Sequence, residues 1–168
     1  MNSNDVIRDA RVEHVRELKA EIARLKAELS SANDELRALR AHFDLALLAA
    51  ADAAAVPSGG RIVVVDGCNL LFNVFRRDRA ALLAAAAKID AGFVWVVFDG
   101  PVENVSVEGR MRVSYTGGTG TQRADRLVTD YIRMLRLAGV RREVVLVTGD
   151  REFGKAAEKE GATCLDRF

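Results

Sequence analysis

Four aspartates stand where their carboxylates could act together: Asp66 in Asp66-Gly67-Cys68-Asn69, Asp99 in Asp99-Gly100-Pro101, Asp150 in Thr148-Gly149-Asp150, and Asp125 shortly after Gly117-Gly118-Thr119-Gly120. Asp66, Asp99 and Asp150 each come just after a short Val-rich run, and Asp125 lies near the start of a long helical pattern. Carboxylates gathered in a small space repel and desolvate one another, a cost that a cation relieves. Magnesium suits such a cluster, because it keeps several waters and binds through one or two carboxylates plus phosphate oxygens. The chemistry that follows is metal-assisted phosphodiester hydrolysis: the ion generates hydroxide from bound water, polarises the phosphoryl oxygen and steadies the leaving oxygen.

Each residue also has an ordinary reading. Asp and Gly after a strand are common turn and cap residues, and Asp125 suits the positive end of its helix. Asn69 is either an Asx turn or cap, or a hydrogen-bonding group that orients Asp66 or a metal-bound water. Basic residues surround these positions: Arg76, Arg77 and Arg79 open a helix past Asn69, while Arg110, Arg112, Arg123, Arg126 and Arg151 lie near the other strand ends. Scattered arginines usually form a solvated surface. Of this set Arg76, Arg110, Arg112, Arg123, Arg126 and Arg151 are the candidates for a phosphate-contacting rim, whose binding would depend on salt.

What must position these groups is an alternation of strands and helices. Arg61–Val65, Phe93–Phe98 and Glu143–Val147 are apolar runs without polar alternation, as in parallel strands covered on both faces. Helical patterns occupy about Arg77–Lys88, Arg123–Ala138 and Arg151–Glu160, and a weaker strand, Arg110–Tyr115, alternates Met111, Val113 and Tyr115 with polar residues at or near an edge. The pattern predicts a doubly wound α/β domain over 61–168, in which ligands bind beyond the carboxyl ends of the strands. The chain ends at Phe168, soon after Thr163-Cys164-Leu165, where a fifth strand would be finishing.

The N-terminal region, 1–50, reads as a coiled-coil helix. Taking Val15 as an a position places Val15, Ile22, Leu29 and Leu36 at a and Leu18, Leu25, Ala32 and Leu39 at d. Glu21, Glu28 and Glu35 then fall at g, with Lys19, Lys26, Asn33 and Arg40 at e. This predicts a parallel homodimer; the alternative is a helix folded back on its own domain, which usually needs a wider apolar face. An alanine-rich stretch followed by Pro57, Ser58, Gly59 and Gly60 marks a linker over 51–60.

Composition narrows the partners little. The 168 residues carry 25 Lys and Arg against 24 Asp and Glu, so any case for nucleic acid rests on local charge. The two cysteines, Cys68 and Cys164, lack metal or redox spacing and fit a reducing, cytoplasmic setting. A charged N-terminus and no apolar run of about 18 residues argue against secretion and membrane spanning. Asp66 is followed by Gly67 and Cys68, so the D-x-D of haloacid dehalogenase-like phosphatases is missing; no G-x-G-x-x-G follows the first strand, and the Gly117–Gly120 loop lacks the lysine of a P-loop and reads as a substrate-contacting lid. Cys68 reads as a buried, inert thiol, because His14 and His42, the only histidines, lie in the coiled coil.

The ordered motifs IVVVDGCNLLFN, VVFDGP, SYTGGTGTQRADRLVTDYI and VVLVTGDREF resemble the NYN domain, and more narrowly its bacterial YacP-like branch, within the PIN-like nuclease superfamily; the resemblance covers about Arg61 to Leu165. It implies a three-layer αβα PIN-like fold, a magnesium- or manganese-dependent ribonuclease activity on RNA, and catalytic acids at Asp66, Asp99, Asp125 and Asp150 with Asn69 beside the first. The competing expectation is an RNA-binding or scaffolding module of the same fold with little or no catalysis, recruited through its coiled coil to a larger ribonucleoprotein.

Overall fold

A computed structural model describes residues 3–118 and 122–167, which divide into two compact units, Met1–Phe43 and Asp44–Phe168. The first is helical throughout its described length, part of α1 (Ser3–Ala55), and the second opens with the remaining turns of that helix. From Arg11 to Phe43 every side chain is exposed. Among the described residues no helix is long and apolar enough to cross a membrane.

The second unit is an α/β fold around a six-stranded sheet. Its strands are β1 (Ile62–Asp66), β2 (Phe93–Phe98), β3 (Glu103–Glu108), β4 (Met111–Thr116), β5 (Val144–Val147) and β6 (Thr163–Leu165), in the order β3-β4-β2-β1-β5-β6. All neighbours pair in parallel except the β3–β4 hairpin. Between the strands lie α2 (Gly67–Asn73), α3 (Arg79–Ala87), α4 (Arg123–Leu137) and α5 (Arg151–Lys159).

β1, β2 and β5 are buried at every residue, and the period-two alternation of a strand sends their side chains into two separate cores. Val63, Val65, Val94 and Val96 pack with Leu70 of α2 and Leu82 and Ala86 of α3. On the other face Ile62, Val64, Trp95 and Leu146 pack with Val128, Tyr131 and Leu135 of α4 and with Phe153 and Ala157 of α5.

That second core also holds Ala49, Ala53 and Val56, so the expected linker at 51–60 and the domain start at residue 61 need correction. Helix α1 continues to Ala55, and its alanines let it lie close to the sheet; only Pro57 to Gly60 form a turn, closed by the Gly60 N–H on the Pro57 carbonyl at 2.9 Å. Asp52, in the same turns, is 5% exposed. Its two carboxylate oxygens accept from both terminal nitrogens of Arg112 at 2.7 and 2.6 Å, and one also accepts from the Tyr131 hydroxyl at 2.9 Å. The Arg112 guanidinium in turn lies over the rings of Phe93, 4.9 Å away, and Trp95, 5.9 Å away.

A buried charge stripped of its partner is far more costly than the pair is valuable. Asp52→Ala, which strands Arg112, is expected to destabilise the protein by about 3 kcal/mol or more, whereas Tyr131→Phe, which removes one hydrogen bond, costs about 1 kcal/mol. Urea denaturation of the full chain measures both; equal losses would reject the ion pair as the anchor of α1.

Candidate metal centre

Parallel pairing sets the ends of the strands. Asp66 is in register with Val97 of β2, and Val65 with Val147 of β5, so Asp99 and Asp150 follow strands that finish beside β1. Each turn then starts a helix or abuts one, and each acid finds local donors.

Asp66 caps α2. Its Oδ1 accepts the Asn69 N–H at 3.0 Å, and its Oδ2 accepts the Thr148 hydroxyl at 2.7 Å. Asp150 caps α5, its Oδ1 taking the N–H groups of Glu152 and Phe153 at 2.9 and 3.1 Å. Asp99 performs the same service for a helix it does not precede. The residue at the N-terminus of α4, Gln122, is left-handed (φ 58°) and caps nothing with its side chain. Asp99 Oδ1 instead accepts the Ala124 N–H at 2.9 Å, together with the Thr116 hydroxyl at 3.0 Å. This contact fastens the start of α4, and hence Asp125 one residue later, to the end of β2.

Asp66, Asp99 and Asp150 all act on the Asp125 carboxyl, and Asp99 and Asp150 act on that of Asp66. Burial pushes the Asp66 carboxyl up; the Asn69 N–H and Thr148 hydroxyl oppose this, while Asp150 and Asp99 add to it. Asp125 is pushed from 3.8 up to about 6, first by burial and then by Asp66, Asp150 and Asp99, with no hydrogen bond among the described residues to offset them. Opposed charge of this kind, on hard oxygen donors at the carboxyl edge of the sheet, fits a divalent cation. Among the described residues no three His, Cys, Asp or Glu side chains close on a single point as they stand. Asp66 turns both oxygens, and Asp99 and Asp150 one each, to the helix N-termini and threonine hydroxyls just named.

Asn69 does not orient Asp66 through its side chain. Its Oδ1 accepts the Gly149 N–H at 2.9 Å, tying α2 to the turn that carries Asp150. A Cβ at Gly149 would meet that oxygen at 2.8 Å, so a side chain there would push the Asn69 amide aside. Sequence reading missed Thr148 and Thr116. Thr148 is buried and links two acids, donating to Asp66 while accepting the Asp150 N–H at 3.1 Å. Its place directly after β5, inside the motif that names Asp150, was the available signal. The Cys68 sulfur accepts the Asp99 N–H at 3.3 Å, and burial raises its pKa, which suits a structural thiol.

The arginines separate into four groups. Arg110 is no part of the rim: it precedes β4, whose Met111 is in register with Val94 at the start of β2, and it donates to the Ala91 and Ala87 carbonyls at the opposite end of the sheet. Arg112 is consumed by Asp52. Arg123 donates to the Gly100 and Gly118 carbonyls and holds the loop near Asp99; Thr119 and Gly120, the rest of the expected lid, lie outside the described residues. Arg76, Arg126 and Arg151 are exposed. Arg76 and Arg77 are both left-handed, at φ 50° and 70°, and the Arg77 guanidinium lies 5.5 Å from the ring of the exposed Phe72. Beside Asp150 opens a groove of about 800 Å³, lined among others by Asn73, Val74, Thr148, Arg151 and Lys155.

Comparison of the chain with protein-family models, with curated proteins and with solved structures yields no match.

Because the folded Asp125 carboxyl titrates near 6 instead of 3.8, the folded state binds a proton there that the unfolded state has released. Stability contributed by this group therefore falls as pH rises through that window and stays reduced above it. In metal-free protein, Asp125→Asn is expected to raise Tm near pH 7 by about 2 °C and to make no difference near pH 4. Thermal unfolding across that range tests this, and a Tm difference that does not vary with pH would remove Asp125 from the cluster.

Proposed function

We propose that this protein is a magnesium- or manganese-dependent ribonuclease of the PIN-like type, resembling the NYN domain, which hydrolyses RNA phosphodiester bonds at the edge where Asp66, Asp99, Asp125 and Asp150 meet. One observation supports the reading: parallel pairing and the Asp99–Ala124 contact bring these acids to one edge of the sheet, where burial and the three other carboxylates push Asp125 up to about 6, a field that a divalent cation would neutralise.

In this reading Asp66, Asp99 and Asp150 each use an oxygen to cap a helix and are thereby held at the sheet edge, and a bound ion would have to draw their carboxylates and that of Asp125 together. When bound, the ion supplies an acidified water and a Lewis acid for the phosphoryl oxygen. Thr148 keeps Asp66 and the Asp150 backbone at a set spacing, and Asn69 does the same for the Gly149 turn. Arg126 and Arg151 offer phosphate contacts, while the exposed Phe72, next in sequence to Asn73 of the groove that includes Asp150, carries the Arg77 guanidinium over its ring. An exposed ring beside a groove and a cation is suited to stacking an unpaired base, which favours single-stranded RNA.

The second reading, an RNA-binding or scaffolding module without catalysis, draws on the fact that no three acidic side chains of the described residues close on one point. End-labelled single-stranded RNA incubated with the full chain separates the two. Cleavage that requires Mg2+ or Mn2+, stops with EDTA and falls at least about 100-fold in Asp125→Asn is the expected result. Binding without any cleavage in either metal supports the second reading, and cleavage that survives EDTA rejects the first. For binding itself, Arg151→Ala is expected to lower the slope of log affinity against log salt by about 1, the share of one phosphate contact. An unchanged slope, measured by fluorescence anisotropy, excludes Arg151 from the RNA path.

A further inference from the structure

We propose that the exposed face of α1 between Val15 and Phe43 is covered by the same face of a second copy of this chain, in a parallel, in-register, two-stranded coiled coil. Val15, Leu18, Ile22, Leu25, Leu29, Leu36, Leu39 and Phe43 are between 46% and 68% exposed, although side chains of this size elsewhere in the chain fill two cores. With Ala32 between Leu29 and Leu36 they recur at alternating steps of three and four, so they form one continuous seam down the helix. The seam takes two positions in seven, which is narrower than the face a helix buries against a globular domain and matches what a second identical helix covers. β-branched residues at two of the a positions and leucine at most d positions select two strands.

The flanking charges choose both the partner and its direction. In a parallel pair each g residue meets the e residue five places on in the other helix, which sets Glu21 against Lys26 and Glu35 against Arg40. An antiparallel pair would set g against g and e against e, glutamate facing glutamate and lysine facing lysine or arginine. The two cross-pairs differ in strength. Arg24 of the same helix already holds Glu21, at 2.6 and 2.9 Å, and reaches Glu28 at 2.7 Å, drawing the Glu21 carboxyl below its ordinary pKa. Glu35 has no ion pair among the described residues, so its bond to Arg40 of the second copy meets no competitor. Ala32 leaves the seam thin at one d position.

Sedimentation equilibrium of the full chain is expected to give twice the 18.3 kDa chain mass. Replacing Leu18 and Leu25 together with Glu should give a monomer with unchanged emission from the buried, single Trp95, which reports that the other unit remains folded. Ala32→Leu should tighten the dimer about tenfold. Arg40→Glu should loosen it by about fivefold, more than Lys26→Glu does, with affinity restored by adding Glu35→Lys. For direction, Val15→Cys should form a disulfide-linked dimer on mild oxidation while the unsubstituted chain does not. In an antiparallel pair the two substituted positions would stand on the order of 40 Å apart, beyond the reach of a disulfide. A monomeric full chain, a dimer that survives both glutamates, or failure of Val15→Cys to cross-link overturns the proposal.

Discussion

The site depends on one constraint, the parallel pairing of β1 with β2 on one side and β5 on the other. In a parallel sheet every strand points the same way, so every strand-to-helix turn emerges at one edge and whatever the turns carry is brought together. The same pairing leaves no polar face. Both sides of β1, β2 and β5 are covered, which is why their sequences are runs of Val, Ile, Leu, Phe and Trp up to Asp66 at the end of β1 and why the polar groups of this region are pushed to the strand ends and turns. A cluster of acids at that edge is therefore a consequence of the topology once each turn contains an aspartate.

Gathering carboxylates is unfavourable, and the fold offsets part of that cost with helix N-termini. Asp66 and Asp150 accept from the first turns of α2 and α5, and Asp99 reaches across to α4. Capping and site-building are thus the same interactions seen from two ends. The N–H groups at a helix start favour a negative charge, and the oxygen they hold fixes the direction of the other. Asp125 is outside this arrangement. It lies within the first turn of α4, where the helix dipole favours it, yet it takes no cap role, and burial and its neighbours raise it furthest in the direction of protonation. Of the four it is the group with most to gain from a cation.

Much of this was legible in sequence. The three Val-rich runs, the helices after them and the aspartates at their ends all follow from period and position, because buried parallel strands admit few alternatives. The short helix α2 and the strand β3 were not legible. α2 is a single cap-driven excursion around Leu70, and β3 is exposed at each residue, with Glu103 and Glu108 at its ends and only Val105 and Val107 in alternation, too short a pattern to mark a strand. Asn69 stands at the expected site but makes a different bond, since sequence cannot reveal that its side chain meets Gly149, distant in the chain.

Two further misreadings share one cause. Arg112 and Ser114 alternate with Met111, Val113 and Tyr115, a pattern that describes a strand with one wet face and invites Arg112 to be read as a surface residue near the site. That face is in fact covered, by the alanine-rich turns of α1 that composition marks as a linker. Once these turns are laid on the sheet, the polar residues of β4 must find partners inside. Ser114 accepts the Trp95 ring N–H at 2.8 Å, and Arg112 meets Asp52, which a linker reading would leave in water. The aspartate and the arginine explain one another: a single Asp within an alanine run and a single Arg on the covered face of a half-buried strand are each anomalous alone, and paired they satisfy both charges. Helix α1 accordingly changes character along its length, from a leucine heptad framed by charge to an alanine surface with one acid. The second part packs into the core of its own unit, while the heptad face is an exposed apolar surface of the kind that a partner covers.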